Sequence, residues 1–126
     1  MISGIEGVTT AALSLALDAA SLQHRVLAAN VANVNTPGYV PMRLRFAAQI
    51  NGSASRRATS LADPASLFSV RMSLQPAFDP SGAAATVQPD QEVAAMSENA
   101  LHYQALATAL DKHLSILSSA ASDGKR

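Results

Sequence analysis

Three histidines, His24, His102 and His113, are the side chains that first invite a chemical test, because a neutral imidazole is a common metal ligand. On one helix His102 and His113 share a face, but at ~1.5 Å per residue they stand about 16 Å apart, too far to hold one ion. His24 comes from a distant part of the chain, so all three read as ordinary helix-surface or interface histidines. Glu98 and His102, at i and i+4, read as a helix-surface pair. No serine sits in a G-x-S-x-G context, and the chain has no glycine-rich phosphate loop, no carboxylate pair on a shared face and no zinc spacing. The expectation is a protein without catalytic residues, metal or cofactor. Arg43, Arg45, Arg56, Arg57 and Arg71 make the middle basic, yet no aromatics are interleaved with them and the formal net charge is zero. Nucleic acid is therefore not an expected partner; the arginines read as subunit salt bridges or as a solvated loop.

The chemistry that remains is that of side-chain amides at the end of a helix. In Leu27 to Tyr39, LAANVANVNTPGY, Asn30, Asn33 and Asn35 offer donors where the last carbonyls of a helix lack intrahelical partners. Thr36-Pro37-Gly38 stops the helix, because proline disfavours the helical conformation in the residue before it and Pro-Gly favours a type II turn. Tyr39 follows as an amphipathic ring able to pack back on the helix end while its hydroxyl finds a partner.

Two long elements position this turn. From about Thr9 to Val34, Ala12, Leu15, Ala19, Leu22, Val26, Ala29 and Asn33 recur at alternating spacings of three and four. A second seam, Leu13, Leu17, Ala20, His24, Leu27, Val31 and Val34, runs beside the first, so the apolar arc is too wide for one partner helix. The second helix begins at Pro89-Asp90, with Asp90 as expected N-cap and Glu92 as a charge complementing the dipole. Val93, Met96, Ala100, Tyr103, Ala107, Leu110, Leu114 and Leu117 then keep an unbroken heptad rhythm, with Leu101, Leu106 and Ile116 off the seam. Between the helices, Phe68, Val70, Met72 and Leu74 alternate with polar residues as a short strand, and Arg45 to Ile50 reads as one or two helical turns. Asn51 to Ser60 and Gln75 to Ala85, rich in Gly, Ser, Pro and Ala, read as mobile or as ordered only by a neighbour.

The chain of 126 residues is at most one domain. Its apolar content is 48%, but only 4% is aromatic, and alanine suits close helix contact better than a thick core. No cysteine is present, so neither a disulfide nor a thiolate site is possible. Val8 to Ala20 lacks a preceding positive charge and contains Asp18, which argues against a cleaved secretory signal. No stretch reaches the ~18 consecutive apolar residues of a membrane span.

ANVANVNTPGY resembles the N-terminal signature of the flagellar rod and hook axial proteins, a pattern close to A-N-x-A-N-x-N-T-P-G-Y. Short length and the C-terminal MSENALHYQALATALDKHLSIL are similar to the proximal rod subunits of that family. The resemblance implies a structural subunit, exported by the flagellar type III system without a cleaved signal. It implies a place in the periplasmic rod of the basal body, self-association in a helical tube, and contact with other rod proteins and with membrane-ring and export-gate proteins.

The expected fold is mainly α: two long terminal helices packed as an antiparallel coiled-coil-like hairpin, with an irregular middle containing a short β segment. The expected organisation is a flexible leader over 1–8, an axial helix over 9–35, a turn and irregular middle over 36–88, a second axial helix over 89–121 and a tail over 122–126. Leu13, Leu15, Leu17, Leu22, Val26, Leu27 and Val31 from the first helix are expected to form helix–helix or subunit contacts. Val93, Met96, Tyr103, Leu110, Leu114 and Leu117 are their expected counterparts on the second. Another rod subunit of the same family, or a small soluble helical adaptor, would share these features.

Overall fold

The computed structural model describes residues 2–48 and 70–123. Two helices, α1 (Ile2–Ala32) and α2 (Pro89–Asp123), pack against each other, and two strands, β1 (Met42–Ala48) and β2 (Val70–Pro76), form an antiparallel ribbon beside them. The helices run antiparallel: Asn99 Nδ2 on α2 donates to the Ala20 carbonyl at 2.8 Å, while seven residues earlier Glu92 meets Asn30, further along α1. At ~1.5 Å per residue the 31 residues of α1 extend about 46 Å. The mainly helical hairpin with a short β pair is thus as expected, and α1 takes in Ile2 to Val8, upstream of the Thr9 start.

α1 buries a narrow line drawn from both of its seams. Its buried apolar side chains among the described residues are Ala19, Ala20, Val26 and Leu27, and of these Leu27 is the largest, at 2% exposure. The small side chains let the helices approach closely, but they leave little large apolar volume inside. Leu13, Leu15, Leu17, Leu22 and Val31 are only half-buried.

Several local expectations are corrected. Arg45 to Ala48 lies in β1, not in a helical turn, and Gln49 and Ile50 fall outside the described residues. The reason is alternation: Met42, Leu44 and Phe46 point one way and Arg43 and Arg45 the other, a period of two that pairs with β2. The strand expected over Phe68 to Gln75 is present as β2 in its described part. Within Gln75 to Ala85 the chain is ordered by itself as a small hairpin, with Gly82 N–H to Asp79 O at 2.8 Å, Asp79 N–H to Ala83 O at 2.8 Å and Ala85 N–H to Ala77 O at 3.0 Å. Asp79-Pro80-Ser81-Gly82 has the composition of a type I turn followed by a left-handed residue, and Gly82 has φ +82°. At the start of α2, Pro89 is the first helical residue, and the Glu92 N–H bonds the Gln88 carbonyl at 3.0 Å. Asp90 therefore sits inside the first turn, not at the N-cap, and proline takes the position where its missing N–H costs nothing. The segment Asn51 to Ser60 lies outside the described residues.

Candidate functional site

The turn after α1 is built as its composition requires. Tyr39 N–H closes on the Thr36 carbonyl at 3.2 Å, and Gly38, third of the four residues, has φ +75°. Asn33 Nδ2 donates at 2.8 Å to the Ala29 carbonyl, which also accepts the Asn33 N–H at 3.1 Å, while Thr36 Oγ1 donates to Asn33 Oδ1 at 3.2 Å. Asn35, Thr36, Pro37 and Gly38 are exposed. A Cβ on Gly38 would meet nothing within 4 Å, so a substitution there is limited by backbone strain alone. Gly38→Val is expected to lower stability by about 1–3 kcal/mol and Gly38→Asn by much less, since asparagine tolerates the left-handed region. Equal denaturation midpoints for the two variants would show that the turn does not depend on positive φ.

Asn30 does something other than close the helix. It is fully buried and uses all of its hydrogen-bonding capacity. Its Oδ1 accepts from the Tyr39 hydroxyl and from the Met42 N–H, each at 3.0 Å. Its Nδ2 donates to the Met42 carbonyl and to Glu92 Oε2, again at 3.0 Å each. One amide on α1 thereby fixes the turn, the first residue of β1 and the first turns of α2. Arg43 completes the junction from β1, its Nη1 donating to Glu92 Oε2 at 2.9 Å and its Nη2 to Oε1 in a bidentate pair. The pairing gives geometric specificity that a single contact would not.

Glu92, at 1% exposure, is the charge at the centre of this junction. Burial raises its pKa, the largest single effect, but the Arg43 hydrogen bonds, the Asn30 hydrogen bond and the Arg43 charge together outweigh it and hold the carboxyl below its ordinary value of 4.5. A depressed folded pKa contributes stability that is present above the unfolded value and is lost as pH falls through the folded one. Stability is therefore expected to stay level in this respect from pH 7 to about pH 5 and to fall below the ordinary carboxylate range. Glu92→Gln should flatten that acid limb of a denaturation profile; an unchanged limb would mean that the pair contributes nothing.

Neither Glu92 nor Arg43 stood out in the sequence, where one reads as a dipole charge and the other as a solvated or intersubunit cation. Glu92 lies 49 residues from Arg43 and 62 from Asn30, separations that carry no local signal. The cue within reach was the period-two pattern of Met42 to Phe46, which puts Arg43 on a strand leaving the turn.

The remaining expected contact residues divide by face. Val26 and Leu27 are buried, and Met96, Leu110 and Leu117 are half-buried. Val93 and Leu114 remain 51% and 48% exposed, and Tyr103, Ala100 and Ala107 are exposed as well. The heptad of α2 thus splits: positions 96, 110 and 117 turn toward α1, while 93, 100, 107 and 114 form an uncovered line along its flank. Leu101 and Ile116, at 69% and 67% exposure, stand further round the same helix. On the other flank an open groove of about 440 Å³ is lined by Ala12, Leu15, Ala16 and Ala19 of α1, with Leu44 and Phe46 of β1 and His102 of α2 at its edges. Among the described residues no group of three or more His, Asp and Glu is placed to hold a metal ion, and no helix is long and apolar enough to cross a membrane.

A model of the flagella basal body rod protein family matches residues 12–39, from the groove-lining part of α1 through the turn to Tyr39. The flagellar basal body rod protein FlgB of Bacillus subtilis (strain 168) is 26% identical over 121 residues, covering 90% of this chain and 92% of that protein. The flagellar resemblance is borne out. The rod-family segment holds Asn30, Asn33 and the Thr36 to Tyr39 turn, whereas their partners Arg43 and Glu92 lie outside it. The similarity to the rod protein FlgB extends over both helices and the ribbon between them.

Proposed function

We propose that this chain is a structural subunit of the proximal rod of the bacterial flagellar basal body, not an enzyme, and that it polymerises through its terminal helices into a helical tube. In that setting it transmits torque and forms part of the export channel, reaching the periplasm through the flagellar type III system. Its neighbours are its own copies, other rod proteins, and the membrane-ring and export-gate proteins at the rod base. The rod-family match and the similarity to FlgB support the setting. The observation that carries the assembly mechanism is the uncovered heptad line of α2.

Magnitudes favour a lattice over a dimer. Val93, Leu101, Tyr103, Leu114 and Ile116 are roughly half to two-thirds exposed. With about 1.5–3 kcal/mol for full burial of a large apolar side chain, covering the remainder contributes on the order of 1 kcal/mol each. That sum is comparable with the ~4–15 kcal/mol lost on fixing one subunit against another. A single contact is marginal, and a copy held by several neighbours is not. Sedimentation velocity of the purified chain across concentration tests this. Concentration-dependent association, or incorporation into filaments with other rod subunits, is the expected result. A compact monomer at every concentration would instead describe a helical adaptor.

A further inference from the structure

The ribbon has two unlike faces. By its register Met42, Leu44 and Phe46 share one face with Met72 and Leu74, and Arg43 and Arg45 share the other with Arg71, Ser73 and Gln75. The second face carries no carboxylate. Arg43 is taken by Glu92, while Arg45 and Arg71 are exposed and form no ion pair among the described residues. In antiparallel pairing they are diagonal neighbours, their Cα atoms about 7–8 Å apart. Phe78, 63% exposed, lines a cleft together with Arg43 and Arg45. Arginine beside an exposed aromatic ring is the composition of an interface centre, not of a solvated loop.

The same chain carries the complement. On α2 the residues Asp90, Glu98 and Leu101 are exposed. At 100° per residue they fall within one quadrant or so of the helix, with Asp90 and Leu101 opposite Glu92 and Asn99, which meet α1, and Glu98 at the edge of that face, where it borders a groove with Gln23. The carboxylates are about 12 Å apart along the axis, within reach of two long arginine side chains. A neutral chain whose central ribbon is basic and whose terminal helices are acidic presents opposite charges on different surfaces. That arrangement suits a contact between copies that is head-to-tail, not two-fold, and such a contact generates an open helical array.

We propose that Arg45, Arg71 and Phe78 of one copy dock on Asp90, Glu98 and Leu101 of a second copy. This rests on the reading of the chain as a self-assembling rod subunit and names the surfaces by which it does so. The junction of Asn30, Glu92 and Arg43 holds the ribbon in the orientation that presents its arginine face.

Charge reversal tests the pairing with the full chain. The variant Arg45→Glu/Arg71→Glu and the variant Asp90→Arg/Glu98→Arg change only exposed side chains, and circular dichroism checks that each keeps its helix. In sedimentation velocity at low salt each variant alone is expected to need at least about tenfold more protein than the unsubstituted chain to associate. An equimolar mixture is expected to recover association, because every ribbon then meets a helix of opposite charge. If the unsubstituted chain associates and neither variant weakens it, or if both weaken it and the mixture does not recover, the pairing is wrong while the assembly reading stands. If the unsubstituted chain never associates, the assembly reading itself falls.

Discussion

Asn30→Asp is expected to destabilise the protein by about 3 kcal/mol or more at pH 7, although it exchanges one nitrogen for one oxygen. The atom replaced is Nδ2, which donates at 3.0 Å to both Glu92 Oε2 and the Met42 carbonyl. A carboxylate oxygen there faces two acceptors, one of them charged, in a site closed to water. For a domain near this size the loss corresponds to a Tm lower by about 12 °C. The pH dependence should invert relative to the parent chain. Repulsion raises the folded pKa of the new aspartate above its unfolded value of ~3.9, so the deficit is full above the folded pKa and shrinks as pH falls through it. Adding Glu92→Gln should recover much of the loss, because its carboxamide nitrogen can donate to the aspartate. Thermal melts of the single and double variants at pH 7 and pH 5 check all three expectations. A single variant as stable as the parent would show that the amide is not oriented by this network.

Leu114→Asp is expected to act on assembly more than on the monomer. Leu114 is 48% exposed, so its replacement costs the isolated chain about 1–2 kcal/mol, from the half of the side chain already covered and the ~0.5 kcal/mol difference in helix propensity. In an array in which another helix covers the line of Val93, Ala100, Ala107 and Leu114, the same change buries an unpaired carboxylate at every interface. An expected cost of about 3 kcal/mol is a loss of association of at least about 100-fold. Ser115→Asp, one residue on and about 100° round the helix, is the control, since it adds the same charge off the line. Sedimentation of both variants beside their thermal melts separates the outcomes. Equal effects on assembly would remove the heptad line as an interface.

What could be read from the sequence follows the range of the interactions involved. Helix periodicity is local, and both helices were legible from it, as was the type II turn, because Pro37-Gly38 leaves few alternatives. Asn33 bonding Ala29 is also a contact within one turn, and its place at the helix end was legible, although the carbonyl it meets already accepts the Asn33 N–H. Asn30 looks the same in sequence and behaves differently. Its partners arrive from a strand 12 residues away and a helix 62 residues away, so nothing local distinguishes a buried cross-link from a helix-end amide. Glu92 does lie in the first turn as expected, but its pairing was missed for the same reason: a glutamate there satisfies the dipole argument whether it faces solvent or Arg43. The strand β1 was missed for a different reason. Phe46, Ala47 and Ala48 tolerate a helix, and only the pairing with β2 in this register makes Met42 to Ala48 extended. The split of the α2 heptad into inward and outward lines depends on how far α1 sits to one side, which no single-helix pattern contains.

The most direct measurement concerns the flank of α2 in place. The chain has no cysteine, so Ala100→Cys supplies a single thiol on the uncovered line. Its labelling by a water-soluble maleimide can be compared between the free chain and isolated basal bodies. The account predicts ready labelling of the free chain and strong protection in the basal body, with a thiol at Ser115, off the line, serving as reference. Equal labelling of Ala100→Cys in both states would contradict the claim that neighbouring copies cover this helix.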